Sequence, residues 1–336
     1  MAAHFINVGQ GSSALFEFSC GLVLVDTGGQ SQATTDWRKA FVDYLNGVFA
    51  RRPDLDRRID VLYITHPHPD HTLGIQALLD DPTIKIAHVI TDAERSGQSL
   101  KQQTALVNWA NQHRIPAVPI NTGLITGPEG LWSRYIDPLR CKGGDPDINV
   151  LWGSYDGRAA WPKGEREDEN NHSVAVRVKF GESTFLVTGD MEEIALKAML
   201  ERYSRVPRVL DVNVYVAGHH GSRNGTTPEL IEAMKPEIAI MSAGNPSAME
   251  PGYAAYNFAH PNAEAIRLLS DPTYGVSFTR PQVRVSVGVR GRNPRPGGLP
   301  PAFEDQDISK AIFATGWDGT IVVVASHDGS KRVIVE

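Results

Sequence analysis

The chain has 336 residues, 41 % of them apolar, with 33 Lys and Arg against 39 Asp and Glu for a formal net charge of −6. This is the composition of an ordinary globular protein, and it excludes disordered and fibrous classes as well as general affinity for polyanions. Residues 1–11 lack the basic start and long apolar run of a signal peptide, and no apolar window is long enough to cross a bilayer, so the expectation is a soluble, cytoplasmic protein without membrane contact. Two cysteines, Cys20 and Cys141, are too few for a disulfide framework and lack metal-cluster spacing, so they read as idle thiols.

In chain order, residues 4–8 and 13–18 read as a hairpin about Gly9-Gln10-Gly11. Leu22–Val25 is a buried strand that ends in the turn Asp26-Thr27-Gly28-Gly29. Helical spacing covers 33–50, where Trp37, Phe41, Tyr44, Leu45 and Phe49 share a face. A strand at 61–64, a helix from 74 to 79, a strand at 84–90 and a helix over 93–113 follow. From about 121 to 172 the pattern dissolves into Gly, Pro, Asp and Asn, and is read as an irregular insertion or lid. Strands at 174–180 and 183–187 then form a hairpin. They are followed by a helix over 192–203, a strand at 212–217, a helix over 228–234, a strand at 238–241 and a helix over 262–269. Residues 280–336 read as a basic loop, carrying Arg280, Arg284, Arg290, Arg292 and Arg295, and a terminal hairpin of 320–325 with 331–335. The whole is expected to be one α/β domain spanning 1–336, a mixed sheet sandwich flanked by helices.

The most informative segment is Thr65-His66-Pro67-His68-Pro69-Asp70-His71, which follows the apolar run 61–64. A strand ending there delivers three imidazoles and a carboxylate together, a donor set suited to zinc, iron or manganese. The prolines stiffen the loop, so that His66 and His68 can share one ion while Asp70 and His71 face a second. Asp190, after an apolar strand and Thr188-Gly189, is placed to bridge two ions. Of His219 and His220, consecutive in a Gly-rich turn, only one is expected to ligate; the choice stays open.

Taken in order, Asp26-Thr27-Gly28, the His66–His71 loop, Thr188-Gly189-Asp190 and His219-His220-Gly221-Ser222 resemble the metallo-β-lactamase superfamily. Val8-Gly9-Gln10-Gly11, Asn170-Asn171-His172-Ser173, Ser242-Ala243-Gly244 and His260-Pro261 narrow the resemblance to the soluble domain of ComEC-like DNA-uptake proteins. It implies a four-layer αββα sandwich, two divalent ions (Zn²⁺ first, Mn²⁺ as the alternative), Asp26 as an orienting carboxylate and nuclease-type chemistry. Two departures stand out. Asn7 and Ser12 replace acidic residues, and no dedicated histidine precedes the Thr-Gly-Asp strand, which leaves His172 as a candidate third ligand.

In the resulting mechanism a metal-bridged hydroxide attacks a phosphodiester, Asp70 orients it, and His260, then His220, then His172 are candidate proton donors. The substrate is expected to be nucleic acid, tracked by the arginines of 280–295 and stacked on Trp132, Trp152, Trp161 or Tyr253, or a small phosphodiester. The alternatives are a lactone hydrolase and a catalytically silent, metal-stabilised binding module.

Overall fold

The computed structural model describes residues 1–30, 33–94, 99–249, 254–292 and 298–336, with Arg158 described by its backbone only. Among these residues the fold is built on two large sheets. Ala2–Phe5 pairs antiparallel with both Ala14–Glu17 and Ile321–Ala325, so the carboxyl-terminal hairpin, completed by Lys331–Val335, joins the first strand. From Leu22–Val25 the sheet continues in parallel through Val61–Tyr63, Val89–Asp92 and Ala117–Ile120. The second sheet runs Ile312–Ala314, Ile238–Met241, Val214–Val216, Ser183–Val187, Ala175–Phe180 and Asp147–Trp152.

Alternation along the strands decides which side each residue serves. Phe16, Val23, Val25, Val61 and Tyr63 of the first sheet face Val176, Val178, Phe185 and Val187 of the second in one buried cluster. The rings of Phe16 and Phe185 meet edge to face, with centroids 5.7 Å apart. Leu15, Leu22, Leu24 and Leu62 point the other way, into a second cluster with Phe41, Leu45 and Val48 of the helix Trp37–Arg51 and Leu106 of the helix Lys101–Gln112. Beyond the second sheet the helices Glu193–Tyr203 and Pro228–Met234 bury Leu196, Met199, Leu230 and Ile231. The result is the four-layer αββα sandwich.

Several sequence expectations are corrected. Cys20 and Cys141 form a disulfide, which ties the turn before Leu22–Val25 to a segment 121 residues away. The strand read over 84–90 is two short ones, Lys85–Ile86 and Val89–Asp92. The helix read over 93–113 runs from Lys101 to Gln112, and 95–98 lie outside the described residues. The stretch 121–172 contains the strand Asp147–Trp152, an edge of the second sheet. Finally, the basic loop is a long ribbon, Thr279–Arg290 paired antiparallel with Ala302–Lys310. Arg280 forms a bidentate pair with Asp318 at 2.6 and 2.9 Å, and Arg284 lies 3.3 Å from Asp305 across the ribbon. Arg280 and Arg284 are matched by carboxylates brought in from later in the chain, and Arg290 by the Pro300 carbonyl.

Candidate metal centre

The site lies where strands of both sheets end. Asp26, at φ 61 just after Leu22–Val25, is fully buried. Its carboxylate accepts from the Thr65 amide (2.8 Å), the Thr65 hydroxyl (2.8 Å) and His71 Nδ1 (2.7 Å). This locks the start of the histidine loop to the end of the neighbouring strand and directs His71 Nε2 inward, as carboxylates behind metal-ligating histidines do. Pro69 opens the short helix Pro69–Thr72, which turns Asp70 and His71 toward the cluster.

Asp190 follows Gly189 at φ +56, where a Cβ would come within 2.9 Å of both Ser173 and Thr65. The turn therefore requires glycine. Ser173 Oγ accepts from the Asp190 amide at 3.1 Å and donates to the Asn170 carbonyl at 2.8 Å. Ser173 thus braces Asp190. Both ring nitrogens of His172 are engaged outside the cluster: Nδ1 accepts from the Tyr155 amide (3.1 Å) and Nε2 faces the Arg166 carbonyl (2.9 Å). Its ring ends a stacked series with Trp161, Tyr155 and Trp152, which includes two of the tryptophans read as base-stacking candidates. Tyr253 and Arg295 lie outside the described residues.

His219 and His220 both have positive φ, 51° and 54°, and consequently diverge. His220 Nδ1 donates to the Ser242 carbonyl at 2.6 Å. Its Nε2 lies 3.1 Å from Asp70 Oδ2, 3.3 Å from Asp190 Oδ2 and 3.3 Å from His71 Nε2. Asp190 Oδ1 is 3.1 Å from His71 Nε2. Ligand atoms of Asp70, His71, Asp190 and His220 all lie within 4.8 Å of one another. His66 Nε2 and His68 Nδ1 pair at 3.0 Å on the other side, with Asp190 Oδ2 at 3.9 Å from His66. His219 takes a different place: Nδ1 is 3.2 Å from Glu192 Oε1, and Nε2 is 4.0 Å from Asp190. The structure thus brings together His66, His68, Asp70, His71, Asp190 and His220, with His219 and His260 beside them.

The donor set fits a divalent cation. With both Nδ1–H groups committed, to Asp26 and to Ser242, the neutral His71 and His220 turn Nε2 lone pairs toward each other and toward two carboxylates, an arrangement only protons or a cation can satisfy. The charge balance agrees. Burial works against the cation, yet Asp190 with Asp26 holds the His71 imidazole well above its usual range, and Asp190 with Asp70 raises His220 to about 10. Burial opposes ionisation of Asp190 too, and His220, His71 and His219 overcome it, holding the carboxyl well below the carboxylate range.

His260 is buried, with its ring 5.7 Å from His219 and 6.2 Å from His220. Burial first, then these two histidines, keep it well below the usual imidazole range, hence neutral. The Gly244 amide donates to Gln10 Oε1 (3.1 Å), which turns Gln10 Nε2 toward His260 Nδ1 at 3.4 Å. The neutral ring then carries its proton on Nε2.

A cleft of about 850 Å³ opens on the cluster, lined by His68, Asp70, Asp190 and His219 together with Glu167–Asn170, Lys101 and Phe258. The sequence reading missed Glu169, 3.0 Å from His68 Nε2, and Glu192 behind His219. It missed Lys101 as well, and it quoted Gln10 only as part of the Val8-Gly9-Gln10-Gly11 motif, without its contact to His260. Glu169 sits inside the stretch read as structureless, whereas Glu192, two residues after Asp190, was open to detection as an acidic neighbour of the bridging position.

A metal-binding donor set at one end of an αββα sandwich defines the metallo-hydrolase class. The chain belongs to the metallo-beta-lactamase superfamily, whose family model matches residues 6–244. It is similar to ComE operon protein 3 of Bacillus subtilis, at 22 % identity over 314 residues, 91 % of this chain and 35 % of that protein. It is also similar to competence protein ComA of Neisseria gonorrhoeae, at 27 % over 266 residues, 78 % of this chain and 30 % of that one. The chain therefore spans about a third of the length of these curated relatives. Among solved structures it is similar to Igni18, a metallo hydrolase from the archaeon Ignicoccus hospitalis, at 13 % identity and TM-score 0.40, covering 91 % of this chain and 99 % of that one. No helix among the described residues is long and apolar enough to cross a membrane.

Proposed function

We propose that this chain is a metal-dependent phosphodiester hydrolase, with two divalent ions, Zn²⁺ or Mn²⁺, held by His66, His68, Asp70, His71, Asp190 and His220. The observation that carries the reading is the convergence of Asp70, His71, Asp190 and His220 on the wall of a cleft, with Nδ1 of both histidines already committed. Ions bound there supply Lewis acidity toward a phosphoryl oxygen and activation of water. The chain's own groups do the rest. Asp70, facing the cleft, orients the attacking water. His219, on the cleft wall, is opposed by burial but raised by Asp190 and Glu192, and so is placed to offer a proton to the phosphoryl or leaving oxygen. His260, held neutral, acts as a hydrogen-bond donor through Nε2. Lys101, in the first turn of a 12-residue helix, adds positive charge to the cleft.

Nucleic acid is supported by the ComEC-like motifs and by the similarity to a protein named for competence. A second reading, a small phosphodiester, is favoured by the lining: the cleft draws on residues 167–170 and on none of the described arginines of Thr279–Arg290. The test compares end-labelled single- and double-stranded DNA with bis(4-nitrophenyl) phosphate, each with Zn²⁺ or Mn²⁺, beside Asp70→Ala. Turnover of the small ester with slow or absent internal cleavage of duplex is expected. Lactone turnover by metal-loaded protein that leaves every phosphodiester intact would sink the proposal.

A further inference from the structure

Next to the cleft is a separate pocket of about 300 Å³ at the carboxyl end of the strand Val89–Asp92. The helix Lys101–Gln112 serves both: Lys101 and Gln102 line the cleft, whereas Gln103, Thr104 and Val107 line the pocket. Asp92 and Gln103 are 1 % and 3 % exposed, and both line it. Gln103 Nε2 donates to Asp92 Oδ1 at 2.6 Å, but Asp92 Oδ2 and Gln103 Oε1 have no hydrogen-bond partner among the described residues. A buried acceptor left unpaired keeps its desolvation penalty with nothing to offset it. Among the described residues, the charged groups that act most on Asp92 are Glu94 and Glu169, both of its own sign. The pocket thus offers two buried acceptor oxygens, one of them on an acid side chain, with no countercharge among the described residues.

We propose that this pocket binds a small organic cation through its primary ammonium group, whose N–H donors meet Asp92 Oδ2 and Gln103 Oε1. An ammonium brings three donors and the missing charge. A calcium ion needs six or more oxygens and a magnesium ion keeps an octahedral shell of waters, whereas the other walls here, besides Thr91, Glu94 and Thr104, include the carbons of Leu100, Val107, Ala117 and Pro119. These carbons cover an alkyl chain. In the ligand-free protein, burial favours the protonated Asp92 carboxyl. On binding, that proton leaves to solvent and the ammonium takes its place.

The test is a titration of the Zn²⁺-loaded full chain with butylammonium chloride, followed by methyl NMR of the valines and leucines. Tetramethylammonium, with the same charge and no N–H, and CaCl₂ serve as controls. Saturable shifts at Val107 and Leu100 are expected with butylammonium alone, at least tenfold weaker in Asp92→Asn. Ala117→Leu, which narrows the pocket without touching the acid, should weaken them as well. An aminoalkyl phosphodiester binding tenfold tighter than butylammonium would put the ammonium on a molecule that also reaches the cleft; equal affinity would put it on a separate ligand, and either result upholds the pocket. Shifts absent with butylammonium, unchanged in Asp92→Asn, or reproduced by tetramethylammonium or Ca²⁺ would overturn the proposal.

Discussion

Replacing Cys141 by Ser, alone or with Cys20→Ser, opens a covalent loop of 121 residues. In the chain-entropy treatment, closing a loop of that length removes about 16 cal/mol/K from the unfolded ensemble, or about 5 kcal/mol at room temperature. The native state has little to regain when the bond is cut, because Cys141 is already buried beside Leu139 and Ile136 in the inter-sheet cluster. A loss of about 4 to 5 kcal/mol is a large part of the stability of a typical domain. The assay is equilibrium urea denaturation of metal-loaded protein with and without reductant, alongside thiol counting in the native and unfolded states. The serine variants and the reduced wild type should share one lowered midpoint, with the oxidised wild type well above them. Two free thiols in protein purified without reductant, and a midpoint indifferent to reductant, would refute the reasoning. The bond also weighs against the cytoplasmic expectation, since disulfides persist mainly in oxidising compartments.

Metal-free protein should lose stability as pH rises from about 7 through about 10. His220 has a folded-state pKa raised to about 10, so its contribution is complete below the unfolded value near 6.5 and disappears as pH passes the folded one. Saturating Zn²⁺ should flatten that slope in thermal melts, because a cation replaces the protons. Arg280→Ala should cost about 3–5 kcal/mol in denaturation, since Arg280 and Asp318 form a largely buried pair, with side-chain exposures of 10 % and 9 %. It should leave the salt dependence of DNA binding unchanged; a lowered salt slope would restore the phosphate-tracking role. His172→Ala should lower stability without altering bound metal as read by elemental analysis, whereas His66→Ala should lose close to one ion per chain.

The strands and the metal loop were legible because their signals are local. Apolar runs 61–64 and 185–187 announce strands, and His66, His68, Asp70 and His71 fall within six residues. What stayed hidden depends on partners distant in the chain. The Cys20–Cys141 bond spans 121 residues, and Arg280 and Arg284 looked like a solvated basic loop because Asp318 and Asp305 come 38 and 21 positions later. The choice between His219 and His220 rested on two consecutive positive φ angles and on the Ser242 carbonyl, neither written in the His-His-Gly-Ser motif. Asp147–Trp152 was masked because its flanks are rich in Gly, Pro and Asp, although its own residues are buried at five of six positions.

The most direct test is turnover of bis(4-nitrophenyl) phosphate while metal-free protein is titrated with Zn²⁺, with bound metal counted at each point. Turnover should climb to a plateau at two ions per chain and stay near background in Asp70→Ala. Two ions bound without turnover, or turnover untouched by Asp70→Ala, would contradict a phosphodiesterase centred on this cluster.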